Sequence, residues 1–130
     1  MQEINSQELQ TVIADFLELG HVENIVAMFR QEPAQLALTG GLLQDERFRV
    51  RLGVAVLFEE LSAVVPAEVL DGAVPSLQGL ATHDAAYVRG DAAHLLATIG
   101  TPAALAALNL FRKDADPQVA EIVADVLGRE

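Results

Sequence analysis

Apolar residues recur three and four positions apart along the chain, so that each run between breaks carries one apolar face, as a helix packed on a core requires. The breaks are as informative as the runs. Gly20, Gly40-Gly41, Gly100 and Gly128 stand where helices should break or end, and Pro102 stands where one should begin. Asn5 followed by Glu8 has the form of a capping box for the first helix. Together these signals predict eight helices, at about 6–19, 21–31, 33–43, 46–63, 67–81, 85–99, 102–113 and 117–128, with Pro75 kinking the fifth.

The pattern also repeats. Segments 45–61, 84–100 and 116–128 each open with an aspartate (Asp45, Asp84, Asp116) and continue with apolar residues at helical spacing. Aligning Val50, Val88 and Val119 sets the copies 38 and 31 residues apart, a period suited to stacked helical hairpins joined by loops of unequal length.

The most regular copy contains Asp84, Val88-Arg89, Ala92-Ala93, Leu95-Leu96 and Ile99-Gly100, followed by Thr101-Pro102-Ala103-Ala104-Leu105 and Leu108. This run resembles the HEAT repeats, and more closely the short HEAT-like repeats of the phycobilisome lyase type. Residues 84–130 carry most of the resemblance, 45–83 less and 1–44 least. The resemblance implies an all-α fold, a right-handed α-α superhelix of four hairpins spanning 1–130, with 1–44 as N-terminal capping hairpins. It also implies an inter-repeat ladder at Asp45, Arg51, Asp84 and Arg89, interrupted where Ala120 replaces the arginine and Thr101 an aspartate. The second helix of each hairpin would line a concave face. Counting from the aligned valines, Gly53, Val56 and Glu60, then Asp91, His94 and Thr98, then Ile122, Asp125 and Arg129 would project there. Val56, Glu60, Asp91, His94, Thr98, Ile122 and Asp125 are the candidate partner-binding residues.

Composition narrows the function. Hydrophobic residues make up 52% of 130, aromatic ones only 5%, which suits close helix packing better than a sheet sandwich. Nineteen acidic against eight basic residues give a formal charge of −11, which repels nucleic acid and anionic membranes and favours a partner with a basic or mixed basic-apolar surface. No cysteine is present, excluding disulfides, thiolate nucleophiles and cysteine-ligated zinc, and a cytoplasmic location is expected. The stretch Met1 to Glu8 has no positive region and does not read as a secretory signal. The N-terminal apolar residues, among them Val12, Phe16 and Leu19, serve either to cap the first repeat or as a dimer surface.

His21, His83 and His94 lack the His-Glu pairs of the deoxyhypusine hydroxylases, which the repeat pattern also resembles, and Asp84 is expected to cap the sixth helix rather than bind metal. Ser6, Ser62 and Ser76 have no nucleophile-elbow context, and no glycine-rich loop precedes the single lysine, Lys113. Arg47, Arg49 and Arg51 either contact an acidic partner or pair with neighbouring acids. The expectation is a non-enzymatic interaction module or assembly adaptor without metal or cofactor. The alternatives are a self-associating building block, a bilin lyase-like or cofactor-protein maturation factor, and a metal-binding enzyme centred on His94 with Asp91 and His83.

Overall fold

Asn5 opens the first helix as its spacing to Glu8 predicts. Its Oδ1 accepts the Glu8 backbone N–H at 2.8 Å, and its Nδ2 donates to Glu8 Oε1 at 2.9 Å. The computed structural model describes residues 5–129, so Met1–Ile4, part of the stretch read for a leader, and Glu130 lie outside the described residues. The α-helices are α1 (Ser6–Glu18), α2 (Val22–Gln31), α3 (Thr39–Leu42), α4 (Phe48–Val64), α5 (Val74–Gln78), α6 (Ala86–Ile99), α7 (Pro102–Leu108) and α8 (Pro117–Leu127), and no strand occurs among the described residues.

Three of the eight predicted helices are not continuous. Region 33–43 is a 3-10 segment, Pro33–Leu38, running into α3; region 67–81 is a 3-10 segment, Ala67–Ala73, then α5, then a second 3-10 turn, Gly79–Thr82. Region 102–113 is α7 followed by a 3-10 turn at Asn109–Phe111. Proline and glycine explain the first two. Pro75 does not kink a helix; it sits in the first turn of α5, because an α-helix running through it would set its ring against the carbonyl of Asp71. Gly40 and Gly41 lie inside α3 rather than ending it, whereas Gly20, Gly100 and Gly128 follow helices with φ of +85°, +67° and +83°.

Helices α1, α4, α6 and α8 form a row in which each packs on the next. Behind them the Pro33–Leu38 segment with α3, the Ala67–Ala73 segment with α5, and α7 form a second row, while α2 packs on α1, α4 and the Pro33–Leu38 segment. The core lies between the rows. Phe29, Phe58 and Phe111 are fully buried there with Leu57, Leu77, Leu96 and Leu108, and each such side chain contributes about 1.5–3 kcal/mol through the apolar area it removes from water.

Within the second row the backbones nearly touch. Gly40 donates its N–H to Ser76 Oγ at 2.9 Å, and Ser76 Oγ donates to the Ala73 carbonyl at 3.2 Å. A Cβ on Gly40 would fall 2.6 Å from the Ser76 carbonyl oxygen, whereas one on Gly79 would meet nothing within 4 Å. Thr101 ties the next step. Its buried hydroxyl accepts the Ala104 N–H at 3.1 Å, capping α7, and donates to Asp71 Oδ1 at 2.5 Å.

Gly40→Ala is expected to cost about 1–3 kcal/mol in urea unfolding, since two backbones must separate, while Gly79→Ala, at φ −61°, should stabilise by about 0.5 kcal/mol.

Candidate functional site

Helices α4, α6 and α8 are entered through the same turn. Two residues before each N-cap a side chain accepts the N-cap N–H: Asp45 Oδ1 from Arg47 at 2.9 Å, His83 Nδ1 from Ala85 at 3.0 Å, and Asp114 Oδ1 from Asp116 at 2.8 Å. The aligned valine follows three residues after the N-cap in all three copies, buried in each. The valine alignment holds and the alignment of Asp45, Asp84 and Asp116 does not, since the turn acceptors are Asp45, His83 and Asp114. The residue equivalent to Asp45 is His83, and Asp84 is exposed and does not cap α6, whose N-cap is Ala85 and whose first N–H groups receive no capping bond from an N-cap side chain.

The arginine after that valine folds back on its own turn. Arg51 Nη1 donates to the carbonyls of Asp45 and Glu46 at 3.0 and 3.1 Å, and Arg89 Nη1 to those of His83 and Asp84 at 2.8 and 3.1 Å. Each also reaches forward. Arg51 Nε lies 3.4 Å from Asp91 Oδ2, with its guanidinium 4.4 Å above the centre of the Tyr87 ring and 5.7 Å above that of Phe48. Arg89 instead grips Asp114 with two bonds, Nε to Oδ2 at 2.8 Å and Nη2 to Oδ1 at 3.1 Å. The ladder carboxylates are therefore Asp91 and Asp114; Asp45 and Asp84 supply backbone carbonyls instead. Arg47 is tied as well, to Asp45 through both carboxylate oxygens, to Asp15 at 3.0 Å and to Glu18 at 2.9 Å, fastening the turn before α4 to α1.

These contacts set the acid titration. Hydrogen bonds from Arg47 hold the Asp45 carboxyl below the ordinary carboxylate range, and Arg89 does the same for Asp114. Asp91 moves the other way: burial pushes it up, against the attraction of Arg51 and His94.

The outer face of the α4, α6 and α8 row carries most of the sequence-predicted partner residues. Glu60, His94 and Asp125 are exposed, Val56 is 37% exposed, and Asp91, Thr98 and Ile122 are half-buried, with Thr98 Oγ1 returned to the His94 carbonyl. Gly53 does not project; it is buried against Leu17, where a Cβ would stand 3.0 Å from the Leu17 Cβ. The exposed stripe on α4 is instead Phe48, Leu52 and Val56, four residues apart, and Tyr87 opens α6 half exposed. That stripe is readable from its four-residue spacing in the sequence.

Two hollows flank the stripe. One, about 430 Å³, lies between α4 and the α1–α2 corner and is lined by Leu17, Val22, Leu52 and Val56 with Glu18 and Arg49 at its edge. The other, about 550 Å³, lies between α6 and α8 and holds Tyr87, Asp91, His94, Asp116 and Ile122. His83 borders a different hollow, with Arg89 and Lys113, so the structure does not gather it with His94 and Asp91. Among the described residues no three of His, Asp and Glu are placed to hold a metal ion, and no helix is long and apolar enough to cross a membrane. Compared with protein-family models, curated proteins and solved structures, the chain finds no match in any of the three.

Asp45 and Asp114 titrate lower folded than unfolded, so the stability they contribute is present above the ordinary aspartate value near 3.8 and is lost as pH falls through their folded values. Asp114→Asn should therefore cost about 2 kcal/mol at neutral pH and flatten the loss of stability below about pH 4, read by urea unfolding across pH. His83→Ala should cost about 1 kcal/mol, and His83→Asp, which restores the acceptor of the other two turns, should recover it in thermal melts.

Proposed function

We propose that this protein is a small interaction module of the HEAT-like helical-repeat kind, a solenoid of hairpins whose α4, α6 and α8 face docks a protein partner. The thrice-used entry turn and the packing of like helices on like support the repeat reading. One observation carries the function: on that face exposed apolar residues (Phe48, Leu52, Val56, Tyr87) stand beside carboxylates (Glu60, Asp91, Asp125) in a chain of charge −11. Such a surface suits a partner with basic groups around apolar anchors. It offers little to nucleic acid, whose phosphates it repels.

Self-association is the second reading, favoured by the exposed line Val12, Phe16 and Leu19 on and just after α1, with Leu19 71% exposed. Light scattering separates the two, since an adaptor can be a monomer and a building block cannot.

In capture of the tagged protein from its native lysate, a discrete partner is expected at low salt and is lost at about 0.5 M, where screening shortens electrostatic reach to a few ångström. The double variant Glu60→Lys/Asp125→Lys should abolish capture while changing unfolding stability by no more than about 0.5 kcal/mol, both side chains being exposed. Capture indifferent to salt and to this variant refutes the reading.

A further inference from the structure

Two copies of a chain of charge −11 repel each other, so pairing between them is confined to a surface that is locally not acidic. Helix α4 carries one. Its crest is the exposed apolar line Phe48, Leu52 and Val56, and where Phe48 and Leu52 stand on α4 the aligned residues of α6 are only Ala86 and Gly90. On its other side the line borders the hollow of about 430 Å³ lined by Leu17, Val22, Leu52 and Val56.

The charges on α4 are divided along its length. Arg49 lies in the first turn and Glu59 and Glu60 lie toward the end; all three are exposed, and among the described residues none takes part in a side-chain hydrogen bond or an ion pair. Its neighbours differ, since Arg47 and Arg51 are both held by acids of their own chain. The helix dipole disfavours a cation in the first turn, so Arg49 gains nothing from its own helix either.

Helical spacing makes this arrangement self-complementary. In an antiparallel pair of identical helices related by a two-fold axis, residues equally far before and after the axis stand opposite each other. With the axis at position 54, Leu52 faces Val56 of the second copy, and Arg49, five residues before the axis, faces Glu59 and Glu60, five and six after it. At about 100° per residue, Arg49 and Glu60 project only about 20° apart, so both lie on the same flank of the crest and can meet.

We infer that two copies of this chain pair through α4, antiparallel about a two-fold axis near position 54, with Leu52 and Val56 of each entering the hollow of the other and Arg49 of each bound by Glu59 and Glu60 of the other. Charge complementarity in register with the apolar line argues for a second copy as the occupant. The pairing takes nothing from Arg51, Tyr87 and Asp91, which are engaged with one another. It goes beyond the docking reading and leaves to it the α6 and α8 part of the face, with His94 and Asp125.

Light scattering at about 0.15 M salt, where charges more than about 8 Å apart are screened, should give twice the chain mass of 13.9 kDa at about 0.2 mM protein and fall toward the monomer on dilution. Arg49→Glu and the double variant Glu59→Lys/Glu60→Lys should each weaken self-association about tenfold by setting like charges opposite each other, with unfolding unchanged because the side chains are exposed. Mixed in equal amounts, the two variants should associate with each other, since each supplies the charge that the other has lost. A monomer at the high concentration, a dimer that tolerates both variants, a mixture that does not associate, or a dimer lost instead with Phe16→Ser on α1 would each overturn the inference. Salt-dependent capture of a partner by a protein that stays monomeric overturns the pairing and leaves the docking reading; a dimer that obeys the charge exchange, with capture indifferent to salt and to Glu60→Lys/Asp125→Lys, does the reverse.

Discussion

A helix entered from a turn leaves backbone carbonyls on the turn and backbone N–H groups on its first residues without helical partners, and both must be met before the helix can be buried. In this chain one side chain meets the first N–H and one guanidinium meets two carbonyls. Arg51 and Arg89 each bind the two carbonyls of their own entry turn and then extend to a carboxylate of the following element. The same group therefore fixes a local conformation and the placement of the next helix. The hold on the turn carbonyls does not depend on pH, since neither a guanidinium nor a carbonyl titrates in the ordinary range, whereas the forward contact weakens as its carboxylate is protonated.

What faces outward follows from that arrangement. Because the arginines occupy the seams, the residues left on the crest of each helix are set by its own register: Phe48, Leu52 and Val56 on α4, Tyr87 and His94 on α6, Asp125 on α8. The second row contributes differently. Its short α and 3-10 pieces, held at backbone distance by Gly40 and Ser76, back the core and leave the long-helix row to present a face. The structure thus divides labour between a row that closes the core and a row that carries exposed side chains.

Much of this was legible beforehand, and the failures have physical causes. The eight helical regions and the Asn5 cap follow from apolar spacing and short-range hydrogen-bonding chemistry, which depend on neighbours in sequence. The 3-10 pieces were missed because apolar spacing barely distinguishes three residues per turn from 3.6, and only proline and glycine placement separates them. The turn register was missed because aspartates crowd it: Asp84 looked like the repeat of Asp45 when the acceptor was the histidine beside it. His83 does the work of an aspartate with a neutral nitrogen, and residue identity alone does not show that. The ladder's true carboxylates, Asp91 and Asp114, lie 40 and 25 residues from their arginines, distances that only the fold closes. Of the side chains exposed on that face, the count from the valines includes Val56, Glu60, His94 and Asp125 and leaves out Phe48, Leu52 and Tyr87, because it follows a stripe through Gly53, which the fold buries.

The position of Ile122 has a consequence for how such a face changes over generations. It is half-buried and lies outside the core of fully buried side chains, yet its identity determines whether the arginine one helix back has an acceptor in the groove. Arg89 is held instead by Asp114, for which Arg51 has no counterpart because the equivalent turn residue is His83. The two arginines thus point to different places because the chain differs both at the turn residue and at the groove residue. A change at either position alters where the arginine reaches, while its hold on the carbonyls of its own turn, common to both copies, is left in place.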